Sequence, residues 1–420
     1  MDDLISDLPQ SILESILTRL PIRDAVKTSI LSRKWRYKWA SITELVFDDE
    51  CVTSSHDGNV VEQSLVKFIT RALFLHHGPI HKFQVSTCYL QSCPDIDQWI
   101  LFLSRDSDVR ELILKLGEDE WVRLPSCLFN CKKLTHLDLS CCELDPPPRF
   151  KGFSCLRSLS LHRVLVAADA IENLIWSCPL LENLALSYFD DSLAITIRAP
   201  NLKYLYMEGD FTDIFLENTP LLLSLSVVMY MADDVAEHFE LEQSSNCNFV
   251  KFLTRVPRLV SLAGRAYFAK YLSIGDDPGP LPITFDHLKI IELFEVSFED
   301  MKEVLVLLRL ITSSPNLEEF SISAGESTSP AEAPDSLDIW ERECPADWTF
   351  KQLKVVKMTD VNGIPHEMDL VKFLLGSSPV LKTMTISPST YFKHDRMVML
   401  IELLRFRRAS SEAEIIFLQE

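Results

Sequence analysis

One pattern restricts this chain more than any other: an apolar–x–x–apolar–x–apolar template that recurs from Ile42 to Ile386. The copies begin Ile42/Leu45/Phe47, Ile80/Phe83/Val85, Val109/Leu112/Leu114, Leu134/Leu137/Leu139, Leu156/Leu159/Leu161 and Leu181/Leu184/Leu186. They continue Leu202/Leu205/Met207, Leu222/Leu225/Val227, Leu259/Leu262/Gly264, Leu288/Ile291/Leu293, Leu317/Phe320/Ile322, Leu353/Val356/Met358 and Leu381/Met384/Ile386, with Gly264 the weak member. Starting positions lie 20 to 38 residues apart, and six copies carry proline two residues ahead: Pro179, Pro200, Pro220, Pro257, Pro315 and Pro379. The spacing reads as a short strand whose first, fourth and sixth residues face a stacked core, and the proline ends the preceding segment. Helical patterns fill the gaps, clearest at residues 168–177, 299–313 and 368–377. A single strand–helix unit cannot bury its own apolar face, so such an array folds by stacking. The expected class is α/β: a curved solenoid with parallel strands on the concave side and irregular helices outside. An ordinary α/β domain with leucine-rich strands is the alternative, and the ordered recurrence of Pro-x-Leu-x-x-Leu-x-Leu argues against it.

Charge narrows the partners. The net charge is −20 over 420 residues, yet residues 1–41 hold seven Lys/Arg against five Asp/Glu, which leaves −22 for the rest. A large acidic body argues against nucleic acid or an anionic membrane as a partner. The longest uncharged apolar stretch, residues 221–232, has twelve residues and is too short to span a bilayer. The acidic start, MDDLISDLP, lacks the pattern of a secretory leader. Eleven scattered cysteines, several inside leucine-rich runs, fit a reducing compartment, the cytoplasm or nucleus, with thiols packed as small core residues.

Residues 8–39 differ from everything that follows. Leu8, Ile12, Ile16 and Leu20 recur every four residues, with Pro9, Leu13 and Leu17 one position on, a stripe broader than one packing partner needs. Asp7 can cap this helix, Pro9 suits its first turn, and Pro21 ends it. A second helix is expected over residues 24–31 with Ala25, Val26, Ser29 and Ile30 inward. Trp35 and Trp39 share one face of a third segment among Lys34, Arg36 and Lys38. About forty residues cannot bury so much apolar surface among themselves. The stretch therefore either caps the chain behind it or is held for another protein, and the second reading is preferred.

The ordered set Leu8-Pro9, Ile12-Leu13, Ile16-Leu17, Leu20-Pro21, Asp24, Val26, Ser29, Leu31, Ser32-Arg33, Trp35-Arg36 and Trp39 resembles the F-box. The resemblance implies a three-helix module docking on a Skp-type adaptor, which bridges to a cullin scaffold. It carries over as contacts Leu8, Pro9, Ile12, Ile16, Leu20, Pro21, Val26, Leu31 and Trp35. Residues 134–186 look like the plant F-box/leucine-rich-repeat family, and residues 348–420 like the FBD region that closes many of its members. The expected organisation is F-box at 1–41, degenerate leucine-rich repeats at 42–347, and an FBD-like region at 348–420 that continues and caps the array. Residues 325–347, rich in Ser, Glu, Ala and Pro, read as a mobile loop; Ser329-Pro330 is a candidate phosphosite there, with a plain loop the preferred reading. An amphipathic helix is expected over residues 391–408, with Met397, Leu400, Ile401 and Leu404 on its apolar face.

Catalytic motifs are absent: no phosphate-binding glycine loop, no GxSxG, no HExxH and no CxxC. Cys127/Cys131 and Cys141/Cys142 fall in adjacent repeats, but structural zinc sites pair their ligands more tightly. No cofactor or metal is expected. The reading is a non-catalytic receptor subunit of an SCF-type ubiquitin ligase that holds a target by the residues between the core positions. The candidates are His136, Asp138, Tyr204, Tyr206, Glu292 and Glu319, with the tyrosines the best anchors. Two alternatives stand beside it: a scaffold that binds the adaptor outside a cullin complex, and a thiol-dependent enzyme.

Overall fold

The structure, a computed structural model, describes residues 8–51, 58–91, 93–106, 108–117, 121–188, 193–230, 248–275, 283–325, 340, 342–344, 348–390 and 396–418. Asp7 and the Ser329-Pro330 pair lie outside these residues. The chain divides into two compact units, Met1–Asp191 and Ser192–Glu420.

The first unit opens with α1 (Gln10–Leu17) and α2 (Ile22–Lys27), followed by 3₁₀ turns at Thr28–Ile30 and Lys38–Ser41. The third helical element of this module is thus a 3₁₀ turn. Then come β1 (Glu44–Asp48), α3 (Gly58–Leu75), β2 (Lys82–Ser86), α4 (Ile96–Asp106), β3 (Glu111–Lys115), β4 (Val122–Arg123), β5 (His136–Glu143), β6 (Ser158–Leu165), α5 (Ala168–Trp176) and β7 (Asn183–Ser187). The strands pair in parallel in the order β1-β2-β3-β5-β6-β7, with β4 added beside β5.

The second unit contains β8 (Leu193–Arg198), β9 (Tyr204–Gly209), β10 (Phe211–Glu217), β11 (Ser224–Met229), α6 (Asn248–Leu253), β12 (Ser261–Ala266), α7 (Phe268–Ser273) and β13 (Ile290–Val296). It continues through α8 (Met301–Thr312), β14 (Glu319–Ala324), β15 (Val355–Val361), α9 (Pro365–Ser377), β16 (Thr383–Pro388), α10 (Arg396–Arg405) and β17 (Glu414–Phe417). Its main sheet is parallel in the order β9-β11-β12-β13-β14-β15-β16-β17. The repeats that begin at Leu181 and Leu202 are 21 and 20 residues long, the two shortest. They return through β8 and β10, which pair with each other, because so few residues leave no length for a helix.

The template sets the register. Its fourth position pairs with its fourth at each junction: Leu45, Phe83, Leu112, Leu137, Leu159 and Leu184 run in line through the first unit. Leu205, Leu225, Leu262, Ile291, Phe320, Val356 and Met384 do so through the second. These residues and the first positions that precede them are buried. A one-residue slip would turn a whole strand's apolar set to solvent, so the pattern fixes the pairing. The weak copy has a local cause. A Cβ on Gly264 would run into the ring of Phe268, which enters from α7 and fills the place of the missing side chain.

The residue two places after the sixth position adopts a left-handed backbone in copy after copy. Cys141, Arg163, Tyr188, Ala266, Glu295 and Asp360 have φ of 57°, 49°, 54°, 54°, 63° and 57°, and Gly209 occupies the same place at 151°. The ladders shift register there, between Leu293 and Val296 and between Met358 and Val361. These two are bulges that bend their strands, whereas Gly209 and Ala266 both pair with Met229 without a shift.

Three expectations change. The described C-terminal helix, α10, buries Met399 and Leu403, while Met397, Ile401 and Leu404 face solvent. The apolar face named from the sequence is therefore one position out of phase. Within the expected loop at 325–347, Trp340 is buried and donates from Nε1 to His366 Nδ1 at 3.1 Å. Glu343 there accepts both Nε and Nη2 of Arg309, at 3.1 and 3.2 Å. Finally, β17 extends the sheet with Ile415 and Phe417 opposite Met384 and Ile386, although Glu412 stands where the template wants an apolar residue.

Candidate protein-interaction surfaces

The wide stripe of α1 divides into two faces. Leu13 and Leu17 are fully buried, whereas Ile12 and Ile16 are 46% and 42% exposed. The inner face lies against the Lys38–Ser41 turn, where Trp39 is buried and Ser41 donates to Glu14 Oε1 at 3.3 Å. The module is tied to the first repeat by backbone: His77 N–H donates to Ala40 O at 3.0 Å. Its own core is thus complete without Ile12, Ile16 and Leu20.

Of the nine expected adaptor contacts, Pro9, Ile12, Ile16, Leu20, Pro21 and Leu31 are exposed, and Leu8 and Val26 are half-buried. Trp35 is buried, which makes it part of the module's core and not of its open surface. Ile30, expected inward, is the most exposed aliphatic residue here at 85%. The cause is the switch from α to 3₁₀ geometry at Thr28: with 3.0 residues per turn the apolar face rotates away from its α-helical course.

The residues between core positions line the other face of each sheet. In the first unit His136 is half-buried, and Asp138 is buried and ion-paired to Lys115 at 2.9 Å, so Asp138 already has its cation. In the second unit Tyr204 and Tyr206 are exposed on β9. Glu292, half-buried on β13, and Glu319, exposed on β14, lie three and four strands away, about 14 and 19 Å at the usual spacing. The structure therefore keeps the tyrosine pair together and the two glutamates apart from it.

Partners absent from the sequence candidates join the tyrosines. Tyr206 donates its hydroxyl to Glu208 Oε2 at 2.6 Å, and Tyr230 donates to Oε1 of the same carboxylate at 3.0 Å. Burial, then the bond to Glu208, pushes the Tyr206 phenol up to about 12. Nearby, the Arg265 guanidinium lies 4.5 Å from the centroid of the Phe294 ring. Glu208, Arg265 and Phe294 all stand one residue past the sixth template position. Carrying the strand alternation one step past the template reaches all three.

Burial raises the thiols of Cys51, Cys131 and Cys178 to about 11 and those of Cys93 and Cys344 to about 12. Such thiols stay protonated and are poor nucleophiles. Among the described residues no group of three or more His, Cys, Asp or Glu is placed to hold a metal ion. No described helix is long and apolar enough to cross a membrane. Two buried carboxylates, Glu303 and Glu367, are raised by burial to about 7 and accept backbone N–H groups of the turns before α8 and α9.

Comparison with known proteins matches three family descriptions. Residues 5–45 match the F-box domain, residues 96–245 the LRR repeats of FBD-associated F-box protein At5g56370, and residues 351–386 the FBD. F-box/FBD/LRR-repeat protein At1g13570 of Arabidopsis thaliana is 58% identical over 418 residues, covering 100% of this chain and 99% of its own length. The putative F-box/FBD/LRR-repeat protein At4g00315 of the same plant is 29% identical over 441 residues, covering 96% of each. Among solved structures, an internalin of Listeria monocytogenes aligns over 76% of this chain and 83% of its own at 14% identity, with a TM-score of 0.33 that bears no weight.

Proposed function

Because the chain belongs to the F-box/FBD/LRR-repeat family, we propose that it is the substrate-recognition subunit of an SCF-type ubiquitin ligase. In this reading residues 1–41 dock on a Skp-type adaptor and through it on a cullin, residues 42–347 hold a target protein, and residues 348–420 close the repeat array. The observation that carries the reading is the exposed row Pro9, Ile12, Ile16, Leu20, Pro21 and Leu31 on a module whose own core is already filled by Leu13, Leu17, Trp35 and Trp39. Exposed aliphatic residues in such a row are the anchors that dominate interfaces once covered.

The part played by the chain is proximity: it raises the effective concentration of a target at the ligase, and bond chemistry belongs to other subunits. The raised thiols support a non-catalytic role. Among the described residues ten cysteines are free and six of them are buried, which favours the cytoplasm or nucleus. Capture of a purified Skp-type adaptor by the full chain, followed by recruitment of a cullin to that pair, tests the reading. Loss of capture on Ile16→Ala with Leu20→Ala is expected. Capture that persists in that variant contradicts the docking surface, and adaptor capture without cullin recruitment points to a scaffold outside the ligase.

A further inference from the structure

In-register pairing places a defined surface on the second unit. Tyr204, Ser224, Ser261 and Ile290 form one line across β9, β11, β12 and β13, and Tyr206, Ser226, Ala263 and Glu292 form the next. Small side chains on the two middle strands leave a floor about three strand spacings wide, roughly 14 Å, between a tyrosine wall and Glu292. Tyr230 closes the far end beside Glu208, held by its N–H to Gly209 O at 2.9 Å.

The charge on this surface has a sign. Among the described residues Glu208, Asp210, Glu292 and Glu295 stand on or beside it, against Arg265 on the surface and Lys203 and Lys289 at its first line, Lys289 being paired with Glu318 at 2.8 Å. Arg265 lies over Phe294, which shows how a guanidinium beds on a ring of this face. The body beyond residue 41 carries −22 in all, so the long-range field also draws cations toward it.

We propose that Tyr204, Tyr206, Glu208 and Tyr230, with Glu292 opposite, receive a basic segment of the target protein, an Arg or Lys side chain lying against the tyrosine rings with its charge on Glu208. The inference rests on the receptor reading and names the chemistry of what is received. Two phenol hydroxyls already donate to Glu208, which fixes its carboxylate and turns both rings beside it. A cation over a tyrosine face and next to a held carboxylate gains from both. An acidic segment would meet several carboxylates and one arginine already bedded on Phe294.

The test uses the full chain and two labelled probe peptides, octa-arginine and octa-glutamate, read by fluorescence anisotropy at physiological salt. Octa-arginine binding is expected, about tenfold weaker in Glu208→Gln and in Tyr206→Ala, and changed less than about twofold in Glu402→Gln, an exposed carboxylate on α10. Tyr206→Phe, which keeps the ring, is expected to retain more affinity than Tyr206→Ala. Equal losses in Glu208→Gln and Glu402→Gln would mean general charge attraction and overturn the site. So would no octa-arginine binding, or octa-glutamate binding that Arg265→Gln abolishes. Adaptor capture by the same variants reports folding. Failure of capture by the wild type strikes the receptor reading, whereas intact capture with unselective peptide binding strikes this surface alone.

Discussion

Ile16 and Leu17 are neighbours in sequence and lie on different faces of α1: Leu17 is fully buried and Ile16 is 42% exposed. One face of the helix fills the module's own core, and the other is the face proposed for the adaptor. Leu17→Ala should cost about 2–5 kcal/mol of stability through the cavity it leaves. Ile16→Ala should cost less than about 0.5 kcal/mol. Urea unfolding of the two variants checks the difference.

Gly264 and Phe268 share one place in the core, so their substitutions are coupled. Gly264→Ala should destabilise by about 1–3 kcal/mol by overpacking, and Phe268→Ala by about 3–5 kcal/mol by emptying. The double variant should fall short of the sum by about 1 kcal/mol or more, because each change relieves the other. A double-mutant cycle in urea measures the shortfall.

The left-handed residues at the strand ends hold strain that glycine would release. Ala266 at φ 54° and Glu295 at φ 63° each sit where a Cβ crowds the following carbonyl. Ala266→Gly and Glu295→Gly should each raise stability by about 0.5–1 kcal/mol, net of the entropy glycine adds to the unfolded chain. Ala263→Gly, within β12 on the ordinary side of φ, should lower it, and thermal melts of the three variants separate the effects.

Glu303 and Glu367 set a pH dependence near neutrality. Burial raises both to about 7 in the folded chain from an ordinary 4.5, so the fold prefers their protonated form. Their contribution is fully present below about pH 4.5 and is lost as pH rises through 7. Between pH 6.5 and 8.5 the loss should be about 1 kcal/mol for each. Glu318 and Glu343, whose cationic partners lower them, act below this window with the opposite sign. Glu303→Gln with Glu367→Gln should flatten the profile, as chemical denaturation at the two pH values would show.

The strand stack was legible because its signal is a spacing. Leu45, Phe83 and Leu112 announce their positions by period alone, and the parallel register follows from lining them up. What the spacing does not encode stayed hidden. The left-handed bends carry six different side chains and one glycine, since backbone geometry and not side-chain chemistry repeats there. Ile30 was misplaced because a 3₁₀ turn changes the helical phase, and Met397 because either face of α10 reads as apolar. On the outward face Tyr204 and Tyr206 were readable as exposed aromatics. Glu208 follows from the same alternation carried one step further, whereas Tyr230 needed the hydrogen bond that links it to Glu208 of the preceding repeat.

The central claim is that the open face of α1 is an adaptor-docking surface. Calorimetric titration of the full chain with a purified Skp-type adaptor measures it directly, with Ile12, Ile16 and Leu20 changed to alanine singly and together. The account predicts saturable one-to-one binding by the wild type. It predicts losses of about 2 kcal/mol, roughly thirtyfold, at the strongest anchors, and no measurable binding by the triple variant with its unfolding midpoint nearly unchanged. Wild-type affinity in the triple variant, or no binding by the wild type, would contradict it.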